Sequence, residues 1–411
     1  MIKICLSTFL CLIIVTGTFA QNKTRKAVFV IVDGVPFDVI KKLNLPAFKE
    51  IAKTGGLAQT LVGGEKDGYS QTPTISAVGY NSVMTGTWVN KHNVWDNDIA
   101  APNYNYPTIF RILKTAQPEK KIAVFSSWLD NRTKLIGDGL KETGEIKMDY
   151  YADGYELDTV QFPHDKNRDF MHRIDEKVTA EAAQSIREQA PDLSWVYLEY
   201  TDDMGHMYGD SPQFYKAVEY ADQQVKKLWE AIQYRQKNFN EEWLIIVTTD
   251  HGRNVETGKD HGGQSEREKA GWILTNAKGL NQRFLSGKSA MVDVMPTIAR
   301  FMNIAPEIDV AREVDGLPII GKLSFSDLQA KSQQNTILLK WKPEEGSGEA
   351  KIYIASQNHF KSGGKDDYRF LKSVKIKEGM AVLDVPQNAG EFHKIVLEGT
   401  YNRMNVWLTG Q

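Results

Sequence analysis

The sequence predicts an α/β protein, a mostly parallel β-sheet sandwiched by helices, followed by a small C-terminal β-sandwich. Three observations predict it. First, short continuous apolar runs at 26–32, 121–125, 195–198 and 243–247 alternate with helical patterns at 46–54, 108–114, 180–189 and 214–234. Strands that are apolar throughout and separated by helices read as a parallel sheet covered on both faces. Second, the first and last of these runs stop on polar chemistry, Asp33-Gly34 and Asp250-His251-Gly252, as buried strands do when a site lies at their carboxyl ends. Third, beyond Asp315-Gly316-Leu317-Pro318 the apolar residues alternate in six short runs (ILLKW, AKIYIA, YRFLKSVKI, MAVLDV, HKIVLEG, MNVWLT) separated by turn residues. That spacing reads as an all-β unit.

At the amino terminus, Lys3, an apolar stretch from Leu6 to Val15 and the small-x-small ending Thr18-Phe19-Ala20 form a secretory signal peptide, too short to span a membrane. The expected organisation is a signal peptide at 1–20, a catalytic domain at 21–325 and a fibronectin-III-like accessory sandwich at 330–411, with the mature chain starting near Gln21 and secreted or periplasmic. Both cysteines, Cys5 and Cys11, fall inside the leader, and Thr8-Phe9-Leu10 lacks the small residues of a lipoprotein cleavage site. The mature chain would then carry no thiol, which excludes disulfides, thiolate metal sites and cysteine nucleophiles. With 411 residues, 41% of them hydrophobic, and a formal charge of -2, the chain has the balance of an ordinary globular protein and lacks the basic excess of a nucleic-acid binder.

Along the catalytic part, the chemistry-bearing candidates are Asp33, a hydroxyl among Thr72 to Ser76, Asn97, Asp202 with His206, Asp250 with His251, and His261. Singly each has a bland reading: Asp-Gly is a turn pair, and Ser and Thr cap helices routinely. Asp202 and His206 are four apart and converge on one ion if their segment is helical; Asp203 is the competing carboxylate. Asp33, Asp202, His206, Asp250, His251 and His261 make six oxygen and nitrogen donors, too many for one tetrahedral zinc and suited to two catalytic sites of three protein ligands each.

Taken together these segments resemble the alkaline phosphatase superfamily, and most closely its type I phosphodiesterase/nucleotide pyrophosphatase branch, over roughly Lys26 to Lys322. The matching motifs are the strand-end Asp33-Gly34, the run Ser82-Val83-Met84-Thr85-Gly86 after the nucleophile with Asn97 closing the next loop, Asp202 to His206, Asp250-His251-Gly252, and Gly258-Lys259-Asp260-His261. Val292 to Ala299 and Val314-Asp315-Gly316 match the sequence that closes these domains. The resemblance implies an alkaline-phosphatase-like fold and two Zn2+ per chain. One would be held by Asp33, Asp250, His251 and the Ser76 oxygen, the other by Asp202, His206 and His261. It further implies attack by Ser76 through a covalent phospho-serine, with Asn97 and the backbone N–H beside Ser76 bonded to the phosphoryl oxygens.

Two departures stand out. The family's nucleophile is usually Thr, so Thr74 stays open beside Ser76, and Ala77-Val78-Gly79-Tyr80 replaces the usual apolar-Pro-Asn-His. Ser76 is followed by Val78 and Tyr80 in place of the Pro/Ala and Arg of sulfatases. Arg132 occupies the region where some relatives carry a Lys-x-Arg pair, but Asp130 replaces the Lys. A dianionic monoester asks for extra cationic donors, so this half-match favours a diesterase acting on a small phosphate ester. A phosphomonoesterase, a phosphotransferase and a non-catalytic binding protein remain alternatives. Trp88, Trp95 and Trp128 flank the site as stacking surfaces or as packing.

Overall fold

The computed structural model describes residues 23–333, 336–345, 348–384 and 392–409; the leader, with Cys5 and Cys11, lies outside them. Strands β1 (Thr24–Val32), β2 (Gly56–Leu61), β3 (Ile122–Ser126), β4 (Tyr150–Ala152), β5 (Leu193–Leu198), β6 (Glu241–Thr248), β7 (Ala270–Thr275) and β8 (Ser289–Ala290) form one sheet in the order β4-β3-β5-β1-β6-β7-β2-β8. Strands β4, β3, β5, β1 and β6 run parallel. β7 is antiparallel to both neighbours, so the sheet is mixed at one end. The sequence reading did not pick out β2 or β7; β2 is mostly part-exposed and lacks a continuous apolar run, whereas β7 carries the buried run Trp272-Ile273-Leu274 with no helical pattern directly before it.

The two-residue period of a strand divides the core. Phe29 and Ile31 face one apolar layer with the helices Ser76–Thr85, Ile109–Ala116 and Val294–Phe301. Val28, Val30 and Val32 face the other, with Pro46–Thr54, Asp169–Glu188 and Pro212–Asn238. Long helices thus cover both faces, and within the described residues none is long and apolar enough to cross a membrane.

Register aligns the ends of the central strands. Val32 pairs with Leu198 and Ile31 with Thr248, and the Asp33 N–H donates to the Leu198 carbonyl at 3.1 Å. Asp33, the turn into Tyr200–Tyr208, and Asp250 therefore leave three adjacent parallel strands at one level.

The C-terminal part consists of two antiparallel sheets, β13-β10-β9 and β12-β11-β14-β15, built from β9 (Phe325–Gln333), β10 (Thr336–Pro343), β11 (Glu349–Ala355), β12 (Arg369–Lys375), β13 (Met380–Asp384), β14 (His393–Glu398) and β15 (Arg403–Leu408). Alternate residues of both sheets, Leu339 and Ile352 among them, share one apolar core, which makes the pair a sandwich. The six apolar runs of the sequence are β10 to β15; polar β9 has no such run and begins ahead of residue 330.

Candidate metal centre

At the carboxyl ends of β5, β1 and β6 six side chains gather into two trios, Asp33 with Asp250 and His251, and Asp202 with His206 and His261; within each, one donor atom per residue lies within 4.8 Å of the others. Asp202 and His206 occupy successive turns of the helix Tyr200–Tyr208, which places the His206 Nε2 3.2 Å from an Asp202 oxygen. Asp203 points elsewhere, into an ion pair with Arg168 at 2.6 Å.

In the first trio, His251 Nε2 is 3.4 Å from Asp33 Oδ1, 3.2 Å from Asp250 Oδ2 and 3.3 Å from Ser76 Oγ. Donors around a tetrahedral ion about 2 Å away stand about 3.3 Å apart, so this spacing fits a shared cation. Asp33 Oδ1 and Asp250 Oδ2 are buried without a hydrogen-bond partner. The other oxygens are satisfied: Tyr80 and Tyr197 hydroxyls both reach Asp33 Oδ2, the second at 2.7 Å, and the Gly34 N–H donates to Asp250 Oδ1 at 3.1 Å. A buried carboxylate oxygen left bare is costly unless a cation completes it. Burial, then the neighbouring carboxylates Asp250 and Asp202, push Asp33 well above the usual range, and burial lifts Asp250 to about 7. Burial and the nearby His261 hold His251 well below the usual imidazole value, so it is a neutral donor.

The second trio is more open. His206 retains 45% of its side-chain exposure, against 0% for His251. Burial alone would raise Asp202, but the adjacent Arg253 charge and the His206 bond outweigh it and hold the carboxyl far below the usual range. Arg253, fully buried, also donates to the backbone carbonyls of Gly34 at 2.9 Å, Asp202 at 2.9 Å and Lys259 at 2.7 Å. The trios touch through His251 and His261, whose rings stack at 3.7 Å, and His261 Nε2 lies 3.0 Å from His206 Nε2.

Ser76 is the first residue of the helix Ser76–Thr85. That helix packs on Asp250 closely enough that a Cβ at Gly79 would sit 2.8 Å from the Asp250 Cβ, so only glycine fits. Thr74, the alternative hydroxyl, is occupied: its Oγ1 donates to the Gly263 carbonyl at 2.8 Å and accepts from Gly262 N–H at 3.0 Å, while its carbonyl meets His261 Nδ1 at 2.8 Å. Thr74 thus holds the loop that carries His261, which fixes the ring orientation.

Other expected residues are placed differently. The Ala77 N–H, read from sequence as a phosphoryl donor, bonds Asn97 Oδ1 at 3.0 Å, so Asn97 and this amide bond each other. Arg132 donates to Asp153 at 2.6 and 3.0 Å and to Asp138 at 2.7 Å, with Tyr151 against its face at 4.1 Å. Reaching a phosphoryl group would require breaking these bonds. Trp88 is buried in the core, Trp128 meets Tyr80 edge-on at 6.4 Å, and Trp95 remains 50% exposed. Sequence reasoning missed Arg253, Tyr80 and Tyr197; the only signals were the Asp-His-Gly-Arg continuation of the motif and a tyrosine where the family's histidine is expected.

Solved structures of similar shape include Ps i-CgsB in complex with k-i-k-neocarrahexaose (12% identity, covering 82% of this chain and 85% of that chain, TM-score 0.50). Human ectonucleotide pyrophosphatase/phosphodiesterase 5 is another (15%, 69% and 96%, TM-score 0.47), as is the phosphonate monoester hydrolase of Agrobacterium radiobacter (12%, 78% and 88%, TM-score 0.47). At these identities the likeness concerns the fold alone. A search of curated proteins finds no match. The family model for type I phosphodiesterase / nucleotide pyrophosphatase matches residues 27–315, which include both trios and Ser76, and the chain belongs to that family of the alkaline phosphatase superfamily.

Proposed function

We propose that the protein is an exported two-zinc phosphodiesterase of the nucleotide pyrophosphatase type, with Ser76 as nucleophile. The observation that carries the reading is the convergence of Ser76 Oγ on His251 and the two bare carboxylate oxygens, beside a second trio that shares the His251–His261 stack. Asp33, Asp250 and His251 with Ser76 would hold one ion, and Asp202, His206 and His261 the other. When bound, the pair supplies Lewis-acid charge that favours the ionised serine and offsets charge on the attacking and leaving oxygens.

The chain does the rest. Ser76 Oγ, its proton passed to solvent, forms the bond to phosphorus as the bond to the leaving alkoxide breaks on the opposite side, and the alkoxide takes up a proton from water; water then cleaves the seryl phosphate, leaving a phosphate monoester and the restored hydroxyl. Asn97 spends its carbonyl on Ala77 N–H, and its amide nitrogen, which has no partner among the described residues, is the donor offered to a phosphoryl oxygen. Preference for a diester rests on charge. Arg132, Arg168 and Arg253 are paired with Asp153 and Asp138, with Asp203 and Glu199, and with Asp202. None of these guanidiniums is left for the second charge of a monoester. Exposed Trp95, two residues before Asn97, would offer a ring on which a planar leaving group could stack.

The test is a rate comparison on p-nitrophenyl phosphate, bis-p-nitrophenyl phosphate, a nucleotide p-nitrophenyl ester and p-nitrophenyl sulfate. The diesters are expected to be fastest, and Ser76→Ala to lose at least about 10³-fold in kcat with bound metal retained. Preference for the monoester or the sulfate overturns the diesterase reading. Full activity in Ser76→Ala with loss in Thr74→Ala moves the nucleophile to Thr74.

A further inference from the structure

The segment that carries Ser76 is gripped from outside the catalytic sheet. Ahead of Ser76, the Tyr69 ring stacks on Trp407 of β15 at 5.6 Å and 13°, and the backbone N–H of Trp407 donates to the Tyr69 hydroxyl at 3.2 Å. Behind it, the helix Ser76–Thr85 ends at Gly86, whose carbonyl accepts the N–H groups of Asp315 and Gly316 at 2.9 and 3.1 Å. The Trp88 N–H then donates to Asp315 Oδ2 at 3.0 Å.

Lys91 ties these contacts together. Its ammonium, on the short helix Val89–His92, is fully buried and donates to Asp315 Oδ1 at 2.6 Å, the Glu313 carbonyl at 2.7 Å and Asn405 Oδ1 of β15 at 2.9 Å. Asn405 in turn donates to the Val314 carbonyl at 2.8 Å. A second buried ammonium, Lys394 of β14, pairs with Glu313 and Asp366 at 2.7 Å each. Lys91 and Lys394 both lie on the Trp407 ring, at 5.1 and 5.0 Å. The rear of the Ser76 helix is fastened to the same block, since His92 Nε2 meets Ser82 Oγ at 2.9 Å.

Among the described residues the network leaves only Glu313 Oε2 and the Trp407 indole N–H without a partner, and in some proteins buried ion pairs of this kind fix a register more than they add stability. A network that joins both flanks of a nucleophile to one strand of another sheet is therefore a positioning device. Of the proposed metal ligands only Ser76 sits on the gripped stretch, since Asp33, Asp202 and Asp250 leave the central strands, although Thr74 and Tyr80 of that stretch reach His261 and Asp33. We infer that the C-terminal sandwich clamps the Ser76 segment through β15, with Trp407, Asn405 and Lys91 as positioning residues that set the serine against the metal centre. This rests on the reading of Ser76 as nucleophile.

The test compares full-length wild type with Trp407→Ala, Asn405→Ala, Tyr69→Phe and the conservative Trp407→Phe. Hydrogen exchange, bound zinc, and kcat and KM on bis-p-nitrophenyl phosphate are read on the same samples. Expected are at least tenfold faster exchange at amides 76–92 in Trp407→Ala, with amides 243–248 unchanged. With it should come at least a tenfold lower kcat and KM within twofold in protein kept saturated with zinc, and recovery in Trp407→Phe. If Trp407→Ala does not fold, Asn405→Ala and Tyr69→Phe are expected to show the same pattern at smaller amplitude. Unchanged exchange at 76–92 overturns the clamp, whatever hydrolysis shows. Faster exchange with unchanged kcat leaves the contacts merely stabilising and overturns the positioning role. A wild type that hydrolyses none of the esters sinks the functional reading instead, and exchange still decides the clamp.

Discussion

The two trios sit side by side yet are balanced in opposite ways. Asp33 and Asp250 are buried with a neutral His251, and each has one oxygen without a partner among the described residues, so burial pushes both carboxyls toward their protonated form unless a cation offsets the charge. Asp202 of the second trio has Arg253 as a permanent counter-charge, and its His206 stands half in solvent. Desolvated like charges favour a cation strongly, whereas a carboxylate already paired to a guanidinium has less to gain. The lesson is that donor identity alone does not set a site: the same Asp and His types make one buried trio without a counter-charge and one more open trio paired to a guanidinium.

This contrast predicts ordered loading. Calorimetric titration of metal-stripped protein with Zn2+ is expected to resolve two steps at least about tenfold apart in affinity, the tighter one lost in Asp250→Asn and the weaker in His206→Ala. The tighter step carries most of the stabilisation, about 4 kcal/mol at a thousandfold excess over its dissociation constant. Two indistinguishable steps would break the comparison.

Arg253→Met removes the counter-charge of Asp202 and should cost the metal-free protein about 3–5 kcal/mol in urea unfolding. Saturating Zn2+ should recover part of that loss, because the ion takes over the guanidinium's role. Equal destabilisation with and without metal would mean that Arg253 serves packing alone. Its shape matters too: a Cβ at Gly205 would fall 2.1 Å from the Arg253 Cζ, so the helix turn carrying His206 lies directly on the guanidinium.

Tyr197→Phe is a smaller perturbation. It takes one of two hydroxyl donors from Asp33 Oδ2 and is expected to weaken only the tighter step, about 10-fold to 100-fold, as losses of such outer partners do. A loss in the weaker step would place the tyrosine's influence on the wrong trio.

The smallest effect concerns the scaffold of the second trio. Asp175 accepts the N–H groups of Glu199 and Tyr200, where the helix to Asp202 begins, and burial pushes it from 3.8 to about 7. Between those values the folded chain keeps a proton that the unfolded chain has lost. Stability from this group is therefore full below about pH 4 and declines as pH rises to about 7, by at most about 1.4 kcal/mol per unit. Asp175→Asn should flatten that slope relative to wild type in metal-free urea titrations at pH 4.5, 6 and 7.5; parallel slopes would assign the pH dependence elsewhere.

What the sequence determined by itself was whatever is carried by neighbours along the chain. Apolar runs of one strand's length announced β1, β3, β5 and β6, and the helix Pro46–Thr54 was bounded by its own proline and glycine. Of the six candidate donors, Asp33, Asp202, Asp250 and His251 were singled out because they follow strands, His206 because it stands at helical spacing from Asp202, and His261 only through the resemblance of Gly258 to His261 to a family motif. The part-exposed β2 and the polar β9 were not legible, since their partners supply the burial that their own residues do not announce. Tertiary structure alone decided how the donors are tuned. Tyr80 and Tyr197 reach Asp33 across 47 and 164 positions, Arg253 is locked under Asp202 across 51, and Thr74 is drawn to Gly263 across 189, which leaves Ser76 facing His251. The tie from Lys91 to Asn405 spans 314. Local sequence records which groups are present, but charge balance and orientation depend on what burial brings within a few ångströms, and that is settled only when the chain has closed.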